Sequence, residues 1–268
     1  MDYKELGDTG VMIPEIGLGT WKYRGGSKPL LRGIELGATF IDTAEMYRTE
    51  DQVGEAIRGI RDRIFLATKV SGGNLRHDDV LRSSDNSLRL MGVDVIDLYQ
   101  IHWPNQSVPI RETMRALEEL VDRGTVKYIG VSNFSVQQLK EAQNAMSKYP
   151  VVSNQVLYNL KSRRIEHDLT PYCQDNKITV IAYTPLADGS LAGKSRLLPD
   201  KRGAVMEEVA QESGKTPAQV ALNWCLTRPP VVVIPKTNSV ERTEDNCGAT
   251  GWRLTADQLQ RLDEAFPV

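Results

Sequence analysis

The sequence contains few cysteines and no long apolar run. Its three cysteines, Cys173, Cys225 and Cys247, are far apart and form no C-x-x-C pair, which argues against both a zinc site and a disulfide framework. No stretch approaches the roughly 20 consecutive apolar residues of a membrane span. The acidic start at residues 1–5 is unlike a signal peptide. We therefore expect a cytoplasmic protein whose thiols are reduced and mostly packed.

An excess of charge of either sign is also missing. The chain has 33 Lys and Arg against 35 Asp and Glu, a formal net charge of -2, and 40% apolar residues, which is typical of an ordinary soluble protein and indicates no nucleic-acid partner. No Pro-, Ser- or Gly-rich linker interrupts its 268 residues. This length suffices to bury roughly three-quarters of the surface of the unfolded chain. We predict a single domain over residues 1–268.

Strand-length apolar runs alternate with stretches of helical spacing along the chain. Eight such runs are "EIGLGTW", "TFIDTA", "IFLATKV", "VIDLYQIH", "VKYIGVSN", "VVSNQVLYN", "ITVIAYTPL" and "VVVIPKT". Apolar strands alternating with helices imply a parallel sheet covered by helices, and eight units in about 250 residues match a (β/α)8 barrel, the TIM-barrel fold. Before the first strand, Asp8-Thr9-Gly10 predicts a β-hairpin that caps the bottom of the barrel. A C-terminal helix is predicted to begin at Thr255.

Polar residues follow almost every predicted strand. One of them could be an ordinary loop cap, but the carboxyl ends of barrel strands carry the active site, and all of these residues would meet there. The set comprises Trp21, Asp42, Tyr47, Lys69, His102, Ser132, Asn133, Gln155, Tyr183 and Lys236.

The motifs "GLGTW", "FIDTAEMY", "LATKV", "YQIHWP", "GVSNF", "SNQVLYN", "AYTPLA" and "IPKTNSVERTEDN" resemble the aldo-keto reductase family, in order and across essentially the whole chain. The resemblance implies a (β/α)8 barrel that transfers a hydride between a nicotinamide cofactor, NADPH/NADP+, and a small aldehyde or ketone, without a metal. It also implies a monomer. The catalytic tetrad of the family falls on Asp42, Tyr47, Lys69 and His102.

The chemistry of these four residues fits carbonyl reduction. Hydride addition builds negative charge on the carbonyl oxygen, which an acid must protonate. Tyr47 would be the acid, and a Lys69 ammonium beside it should lower its pKa. Asp42 would hold that ammonium, and His102 would position the carbonyl oxygen. Lys69 could instead be a Schiff-base nucleophile or a simple ion-pair partner. His102 could instead be a metal ligand, but no second histidine or cysteine stands beside it at ligand spacing.

No G-x-G-x-x-G motif follows any strand, so the pyrophosphate grip of a Rossmann fold is not expected. Residues 189–195, "GSLAGKS", resemble a P-loop but have three residues between the glycines where four are required, which favours a surface loop. The family resemblance places residues 186–194 where a loop folds over the cofactor, so this segment is expected to touch pyrophosphate.

For the two ends of the cofactor we predict different partners. Ser132, Asn133 and Gln155 offer hydrogen bonds to a carboxamide, and Tyr183 offers a flat face for the nicotinamide ring. At the other end, two cations, a hydroxyl and a helix N-terminus would bind a 2'-phosphate, although both cations could be solvated surface charges. The residues predicted there are Lys236, Thr237 and Arg242, with Asn246 on adenine. The resemblance adds Thr20, Thr184, Pro185, Leu186, Asn238 and Asp245 to the cofactor site.

The sequence departs from the family pattern at Thr49, where asparagine is commonest, at Thr237 in place of serine and at Asp245 in place of glutamate. The chain also ends soon after "DEAFPV", so we expect an open, weakly selective substrate pocket lined by Trp21, Met46 and Trp103, with Leu186. Two other classes stay open: a barrel lyase or isomerase that uses Lys69 as nucleophile, and a protein that binds NADPH as a sensor and turns it over negligibly.

Overall fold

The computed structural model describes residues 1–193 and 201–268. Its main sheet is a barrel of eight parallel strands that neighbour one another in chain order. Hydrogen bonds from Gly17 N–H to Val233 O (2.8 Å) and from Val233 N–H to Glu15 O (2.9 Å) join the last strand to the first. The predicted (β/α)8 architecture is confirmed. The strands are β3 (Leu18–Gly19), β4 (Phe40–Asp42), β5 (Phe65–Val70), β6 (Ile96–Ile101), β7 (Val126–Ser132), β8 (Val151–Leu157), β9 (Thr179–Tyr183) and β10 (Val231–Val233).

Helices lie between the strands and follow the last one. Three of them begin with a capping box, at Ser135, Thr216 and Thr255, in which side chain and backbone satisfy each other's free groups. The predicted start of the last helix at Thr255 is thereby confirmed. The helices are α1 (Ser27–Glu35), α2 (Glu50–Ile57), α3 (His77–Met91), α4 (Ile110–Asp122), α5 (Val136–Ala145), α6 (Leu169–Asp175), α7 (Lys201–Ser213), α8 (Pro217–Leu226), α9 (Val240–Cys247) and α10 (Ala256–Ala265). None of these helices is long and apolar enough to cross a membrane, as judged over the described part of the chain.

An antiparallel hairpin of β1 (Tyr3–Glu5) and β2 (Met12–Pro14) closes the N-terminal end of the barrel, as predicted. Leu6 and Ile13 are buried in one apolar cluster with Phe40, Leu98 and Val232 from the strands. The hairpin is also held by Lys4, whose ammonium donates to three backbone carbonyls, those of Leu226 (2.7 Å), Arg228 (3.0 Å) and Val231 (2.7 Å). This end of the barrel is therefore filled by apolar side chains, and the Lys4 ammonium at its rim is hydrogen-bonded to backbone carbonyls.

The barrel interior changes from apolar to polar along the strands. Side chains two residues apart in a strand point to the same face, so Asp42 lies on the same face as Phe40, one layer nearer the carboxyl end, and Lys69 lies likewise above Ala67. Phe40 and Ala67 belong to the apolar cluster beneath the hairpin, whereas Asp42 and Lys69 are buried and charged. The strand period thus turns both charges to the barrel interior, and the long side chain of Lys69, two residues beyond the register partner of Asp42, reaches its carboxylate at 2.6 Å.

The last helix is fastened by a charged cluster around a buried indole. Trp224 donates from Nε1 to Asp263 (2.9 Å), and the guanidinium groups of Arg163 and Arg228 lie 4.9 and 4.7 Å from its ring centroid. Arg163 also pairs with Asp263 at 3.0 Å. This cluster docks α10 on α8.

The three cysteines are free and buried, as expected. Burial raises the pKa of the Cys173 and Cys225 thiols to about 12. These side chains act as small apolar groups in the core.

Candidate active site

A fully buried ion pair stands at the centre of the polar layer. Lys69 Nζ lies 2.6 Å from Asp42 Oδ1 and 2.8 Å from the carbonyl oxygen of Thr43, and neither charged residue is more than 1% exposed. Burial favours the neutral amine, but the negative charge of Asp42, the neighbouring Tyr47 and the hydrogen bonds to both outweigh it and raise the pKa of Lys69. Lys69 is therefore an ammonium at neutral pH.

Tyr47 lies above this ion pair, on a short turn of 3-10 helix at residues 45–47. Its hydroxyl accepts a long hydrogen bond of 3.4 Å from Lys69 Nζ. Glu45 anchors the same turn, since its carboxylate accepts from Ser71 N–H (3.0 Å) and from Asn74 Nδ2 (2.6 Å). The two acids that follow one another here therefore have different roles: Asp42, at the end of the strand, holds the lysine, and Glu45, in the turn, holds the tyrosine.

The net pKa of Tyr47 differs from the sequence-based expectation. Burial raises it, Lys69 lowers it and Asp42 raises it again, and the sum is a pKa above the ordinary tyrosine value. The prediction of a net lowered pKa is therefore wrong for the protein alone. Lys69 acts in the predicted direction, but the phenolate loses more by leaving water than it gains from one ammonium 3.4 Å away.

His102 follows β6 and faces the ring of Tyr47 edge-on, with ring centroids 5.3 Å apart. It is 7% exposed, and its Nδ1 is buried without a hydrogen-bond partner among the described residues. Burial first, and then the positive charge of Lys69, lowers the pKa of His102 to about 4. The imidazole is therefore neutral at physiological pH and retains one N–H to donate.

Two carboxamides complete the surroundings of Asp42. Its Oδ2 accepts from Gln155 Nε2 at 2.8 Å and from Gln100 Nε2 at 3.3 Å. The sequence predicts Gln155 only as a partner of nicotinamide, and Gln100 is not among the predicted residues. The available signal was a polar residue inside the apolar run "VIDLYQIH", two positions before His102 on the same face of β6.

Ser132, Asn133 and Tyr183 are bonded to one another. Asn133 Nδ2 donates to His102 O (3.1 Å) and Ser132 Oγ (3.0 Å), and Tyr183 donates to Asn133 Oδ1 (2.9 Å). Ser132 in turn donates to the carbonyl of Gln155 at 2.8 Å. By donor and acceptor count, these groups keep capacity for a ligand, including one lone pair on Asn133 Oδ1, and Oε1 and one N–H of Gln155.

A cavity of about 830 Å³ opens above these residues, in the size range of small-molecule sites. Lys69 lies beneath it and does not line it. Asn238 also stands outside the lining, and its Oδ1 accepts from Arg24 N–H at 3.0 Å. The predicted residues that line it are Thr20, Trp21, Asp42, Met46, Tyr47, His102, Trp103, Ser132, Asn133, Gln155, Tyr183, Thr184, Pro185, Leu186, Lys236, Thr237, Arg242, Asp245 and Asn246. Asp188, Gly189 and Ala192, from the predicted loop of residues 186–194, also line it. Lining residues that the sequence did not predict are Gly19, Ala218, Ile234 and Pro235.

One end of the cavity is cationic. The pKa of Lys236 is lowered by partial burial and by the neighbouring charges of Lys22, Arg24 and Arg242. A cluster of four positive charges thus stands where the sequence predicted two. Asp245 also lines the cavity, and one of its carboxylate oxygens accepts from Thr216 Oγ1 at 2.8 Å.

The loop after β9 covers one side of the cavity. Ser190, in the middle of the P-loop-like stretch, is engaged within the protein: it donates to Ala187 O (2.7 Å) and accepts from Lys161 Nζ (3.0 Å). Gly189 closes a short helical turn that begins at Ala187. Lys194 and Ser195, the last residues of that stretch, lie outside the described residues.

The opposite rim is apolar. Trp21, Met46 and Trp103 line the cavity and are about half exposed, at 48%, 51% and 49%. The Trp21 ring contacts Tyr47, with centroids 4.9 Å apart. No group of three or more His, Cys, Asp or Glu side chains suited to a metal ion occurs over residues 1–193 and 201–268.

Residues 15–266, nearly the whole chain, match the model of the aldo/keto reductase family. The chain belongs to the aldo/keto reductase family. The sequence-based recognition is confirmed, and the protein is an oxidoreductase of this family.

Known aldo-keto reductases are similar to this chain in sequence and in structure. A methylglyoxal reductase of Escherichia coli, YeaE, is 37% identical over 271 residues, covering 96% of this chain and 93% of the relative. The thermostable aldo-keto reductase Tm1743, solved with the inhibitor epalrestat, is 41% identical with a TM-score of 0.90 and coverage of 99% and 100% of the two chains.

An aldo-keto reductase from Klebsiella pneumoniae, solved with NADPH, is 36% identical with a TM-score of 0.90 and coverage of 100% of this chain and 96% of the other. A further structure from that organism contains NADP and acetate. The predicted NADPH/NADP+ cofactor is thereby confirmed at the level of the family.

Proposed function

We propose that this aldo-keto reductase reduces small aldehydes and ketones to alcohols with NADPH, with Tyr47 as the general acid. One observation carries the proposal: a wholly buried ammonium, paired with Asp42 at 2.6 Å, lies 3.4 Å from a tyrosine hydroxyl at the floor of a large cavity. A structural ion pair alone would not need a tyrosine hydroxyl at the cavity surface.

The residues of the cavity fit a nicotinamide dinucleotide phosphate. When bound, the cofactor would supply the hydride. Gln155 and Asn133 keep the hydrogen-bonding capacity that a carboxamide requires, and the Tyr183 ring is part of the lining. The four-cation cluster fits a phosphate group, since Lys236 and Arg242 both line the cavity. NADPH carries a 2'-phosphate that NADH lacks, so a cationic cluster at one end of the cavity supports a preference for NADPH over NADH.

Tyr47 donates the proton that the carbonyl oxygen takes up during reduction. The resulting phenolate forms in a buried position, where its charge would be costly without a partner. Lys69 stabilises it, and Asp42 keeps Lys69 charged and in place through 2.6 Å contact. The two carboxamides on Asp42 Oδ2 donate hydrogen bonds to that carboxylate and fix its orientation toward Lys69.

His102 orients the substrate oxygen. Its pKa of about 4 means that it acts as a neutral hydrogen-bond donor and does not compete with Tyr47 as the acid. The neutral ring also avoids placing a second positive charge beside Lys69.

The substrate enters over the apolar rim of Trp21, Met46 and Trp103. A half-exposed rim of two indoles and one thioether favours small carbonyl compounds and discriminates weakly between them. Methylglyoxal, the substrate named for the Escherichia coli relative, is a suitable candidate.

The Schiff-base alternative is disfavoured by the same geometry. A nucleophilic lysine must be neutral and must reach the substrate, whereas Lys69 has a raised pKa, is 0% exposed and does not line the cavity. The other alternative, a sensor that binds NADPH and turns it over negligibly, is tested in the same experiment as the reductase activity.

The decisive experiment titrates the purified protein with NADPH and NADH by quenching of tryptophan fluorescence, and then adds a reactive aromatic aldehyde or methylglyoxal. We expect tight NADPH binding, followed by loss of the absorbance of the reduced nicotinamide. Binding without oxidation would support a sensor. Absence of binding, with borohydride trapping of a carbonyl compound on Lys69, would support a lyase or isomerase.

We also propose that residues 1–268 form one domain and that the protein works as a monomer in the cytoplasm. Light scattering coupled to gel filtration should give the mass of one chain, 29.9 kDa. A mass of twice that value would contradict the monomer.

A further inference from the structure

Three buried threonines surround the base of the loop that carries Tyr47. Thr20 follows β3, and Thr43 and Thr49 lie at the two ends of the segment between β4 and α2. Thr43 and Thr49 Oγ1 atoms are 3.0 Å apart, and Thr49 Oγ1 donates to Thr20 Oγ1 at 3.2 Å. Thr20 Oγ1 donates to the carbonyl of Asp42 at 3.0 Å. The three side chains are at most 3% exposed.

The hydroxyl protons of these residues have only one arrangement. Each hydroxyl carries a single proton. The Thr20 hydroxyl donates to the Asp42 carbonyl, and the Thr49 hydroxyl donates to Thr20. In the remaining hydrogen bond, Thr43 must therefore be the donor and Thr49 the acceptor. The result is a directed chain from Thr43 through Thr49 to Thr20 and Asp42, which we call the threonine chain.

The threonine chain closes the neck of the tyrosine loop. Thr43 and Thr49 bracket the segment at whose centre Tyr47 stands, and their mutual hydrogen bond joins its ends. The carbonyl of Thr43 accepts from Lys69 Nζ at 2.8 Å. The threonine chain therefore fixes the loop that presents the Tyr47 hydroxyl. It also fixes the Thr43 carbonyl, which accepts from the Lys69 ammonium.

The backbone around Tyr47 makes this closure necessary. Arg48, between Tyr47 and Thr49, adopts a left-handed conformation with φ 56°. Such a conformation costs about 1 kcal/mol or more in a residue with a side chain and persists only where its surroundings impose it. Glu45 restrains the outer side of the loop through Ser71 and Asn74. Thr49 restrains the inner side, immediately after the strained residue.

We propose that Thr49 is a positioning residue that sets the distance between the Tyr47 hydroxyl and the Lys69 ammonium through the threonine chain. Thr49 does not line the cavity, and its side chain makes no hydrogen bond to a side chain of the tetrad. It stands where the family most commonly has asparagine. The inference rests on the proposed function of Tyr47 as the acid. It assigns the tuning of that acid to a residue outside the tetrad.

The test replaces Thr49 with valine, which keeps the shape and removes the hydroxyl. In Thr49→Val the kcat for aldehyde reduction should fall by about 10-fold to 100-fold, since a displaced reacting group costs rates of this size. The Kd for NADPH should stay within about twofold of wild type. In the alcohol-oxidising direction, where Tyr47 must first be deprotonated, the pH profile of kcat should shift to higher pH because a more distant ammonium stabilises the phenolate less.

Two further variants separate positioning from folding. Thr49→Ser keeps the hydroxyl and should restore kcat to within about threefold of wild type. Thr179→Val is the matched control: Thr179 is also buried and donates to Glu5 O at 3.2 Å, but it begins β9 at the amino end of the barrel, opposite the site. It should lower Tm and leave the pH profile unchanged. If Thr49→Val does not fold, Thr43→Val cuts the same neck and provides the same measurements.

The possible failures are distinguishable. A wild-type protein that does not oxidise NADPH with any aldehyde would overturn the proposed function. An active wild type, with Thr49→Val unchanged in kcat and pH profile, would overturn the positioning role alone. Equal behaviour of the serine and valine variants would also overturn it, because the hydroxyl would then be irrelevant.

Discussion

The two ends of the barrel differ in how their backbone and polar groups are satisfied. At the carboxyl end of the strands, several residues other than glycine adopt left-handed conformations, and buried polar atoms such as His102 Nδ1 and Gln100 Oε1 have no partner among the described residues. The left-handed residues in the loops at this end are Lys22, Arg48, Asn133, Thr184, Ala187 and Asp188. At the amino end, the hairpin fills the interior with apolar side chains, and Lys4 has three carbonyl partners.

This difference shows where the fold accepts strain. Left-handed conformations cost free energy that the rest of the molecule must compensate, and among the described residues other than glycine they are concentrated at the carboxyl end, with Lys177 at the amino end. The amino end supplies that compensation by burying apolar surface. We expect substitutions at the two ends to separate activity from stability.

The largest effect should come from the carboxyl end. Tyr47→Phe removes the proposed acid and keeps its ring, so kcat for aldehyde reduction should fall by about 10²-fold to 10⁴-fold. The Kd for NADPH, measured by tryptophan fluorescence, should change by less than about twofold if the hydroxyl binds no cofactor. Tyr149→Phe, which also loses a hydrogen-bonded hydroxyl but lies far from the cavity, serves as control. Comparable losses in kcat and in NADPH affinity would remove Tyr47 from the role of acid.

The amino end should show the opposite pattern. Leu6→Ala removes a wholly buried side chain from the hairpin cluster and should lower the free energy of unfolding by about 2–5 kcal/mol. Urea denaturation measures the loss, and Leu31→Ala, at a position that is 37% exposed, should cost much less. The kcat per folded molecule should be unchanged. A kcat that falls with stability would mean that the two ends are coupled.

Cofactor selectivity should depend on the cationic end of the cavity. Arg242→Ala should weaken NADPH binding by about 10-fold to 100-fold, the range expected for one lost hydrogen bond between charged groups, and weaken NADH binding far less. Titration of both nucleotides by fluorescence measures the two Kd values. Arg58→Ala removes an exposed charge that does not line the cavity. Equal weakening of NADPH and NADH would place Arg242 away from the 2'-phosphate.

The smallest effect concerns a charge cluster that shares the carboxyl end but lies outside the site. His77 contacts Asp78 and Glu119 through its two ring nitrogens, both at 2.9 Å. The bond to Asp78 and then that to Glu119 raise the pKa of His77 against the opposing effect of burial. A raised folded-state pKa gives stability that is complete below the unfolded pKa of about 6.5 and is lost as the pH rises through the higher folded value.

The contribution is modest because the His77 side chain is 35% exposed and its partners are more so. We expect wild type to lose about 0.5 kcal/mol of unfolding free energy, relative to His77→Gln, as the pH rises from the acid to the alkaline side of this titration. Urea denaturation at several pH values measures it. If the unfolding free energy of wild type rose with pH relative to His77→Gln, the sign would contradict a raised pKa of His77. A change in kcat in His77→Gln would mean that His77 contributes to the active site.

The sequence by itself determined the eight strands, the hairpin and the residues gathered at the strand ends. Each follows from a local rule: the period of two in "FID" and "LATK" places Asp42 and Lys69 on one face, and polar residues after buried strands share one edge of a parallel barrel. The family motifs then identified the tetrad. These features need only neighbours in sequence to be recognised.

Only the tertiary structure decided the energetics of the site. The pKa of Tyr47 depends on the balance between burial and a single 3.4 Å contact, which no motif contains. Gln100, Lys22 and Arg24 entered the site because strands and loops distant in sequence converge there. Thr49 is likewise linked to Thr20, 29 residues away, and through it to the Asp42 carbonyl. Electrostatic and hydrogen-bonding energies depend on distance and desolvation, and folding alone fixes both.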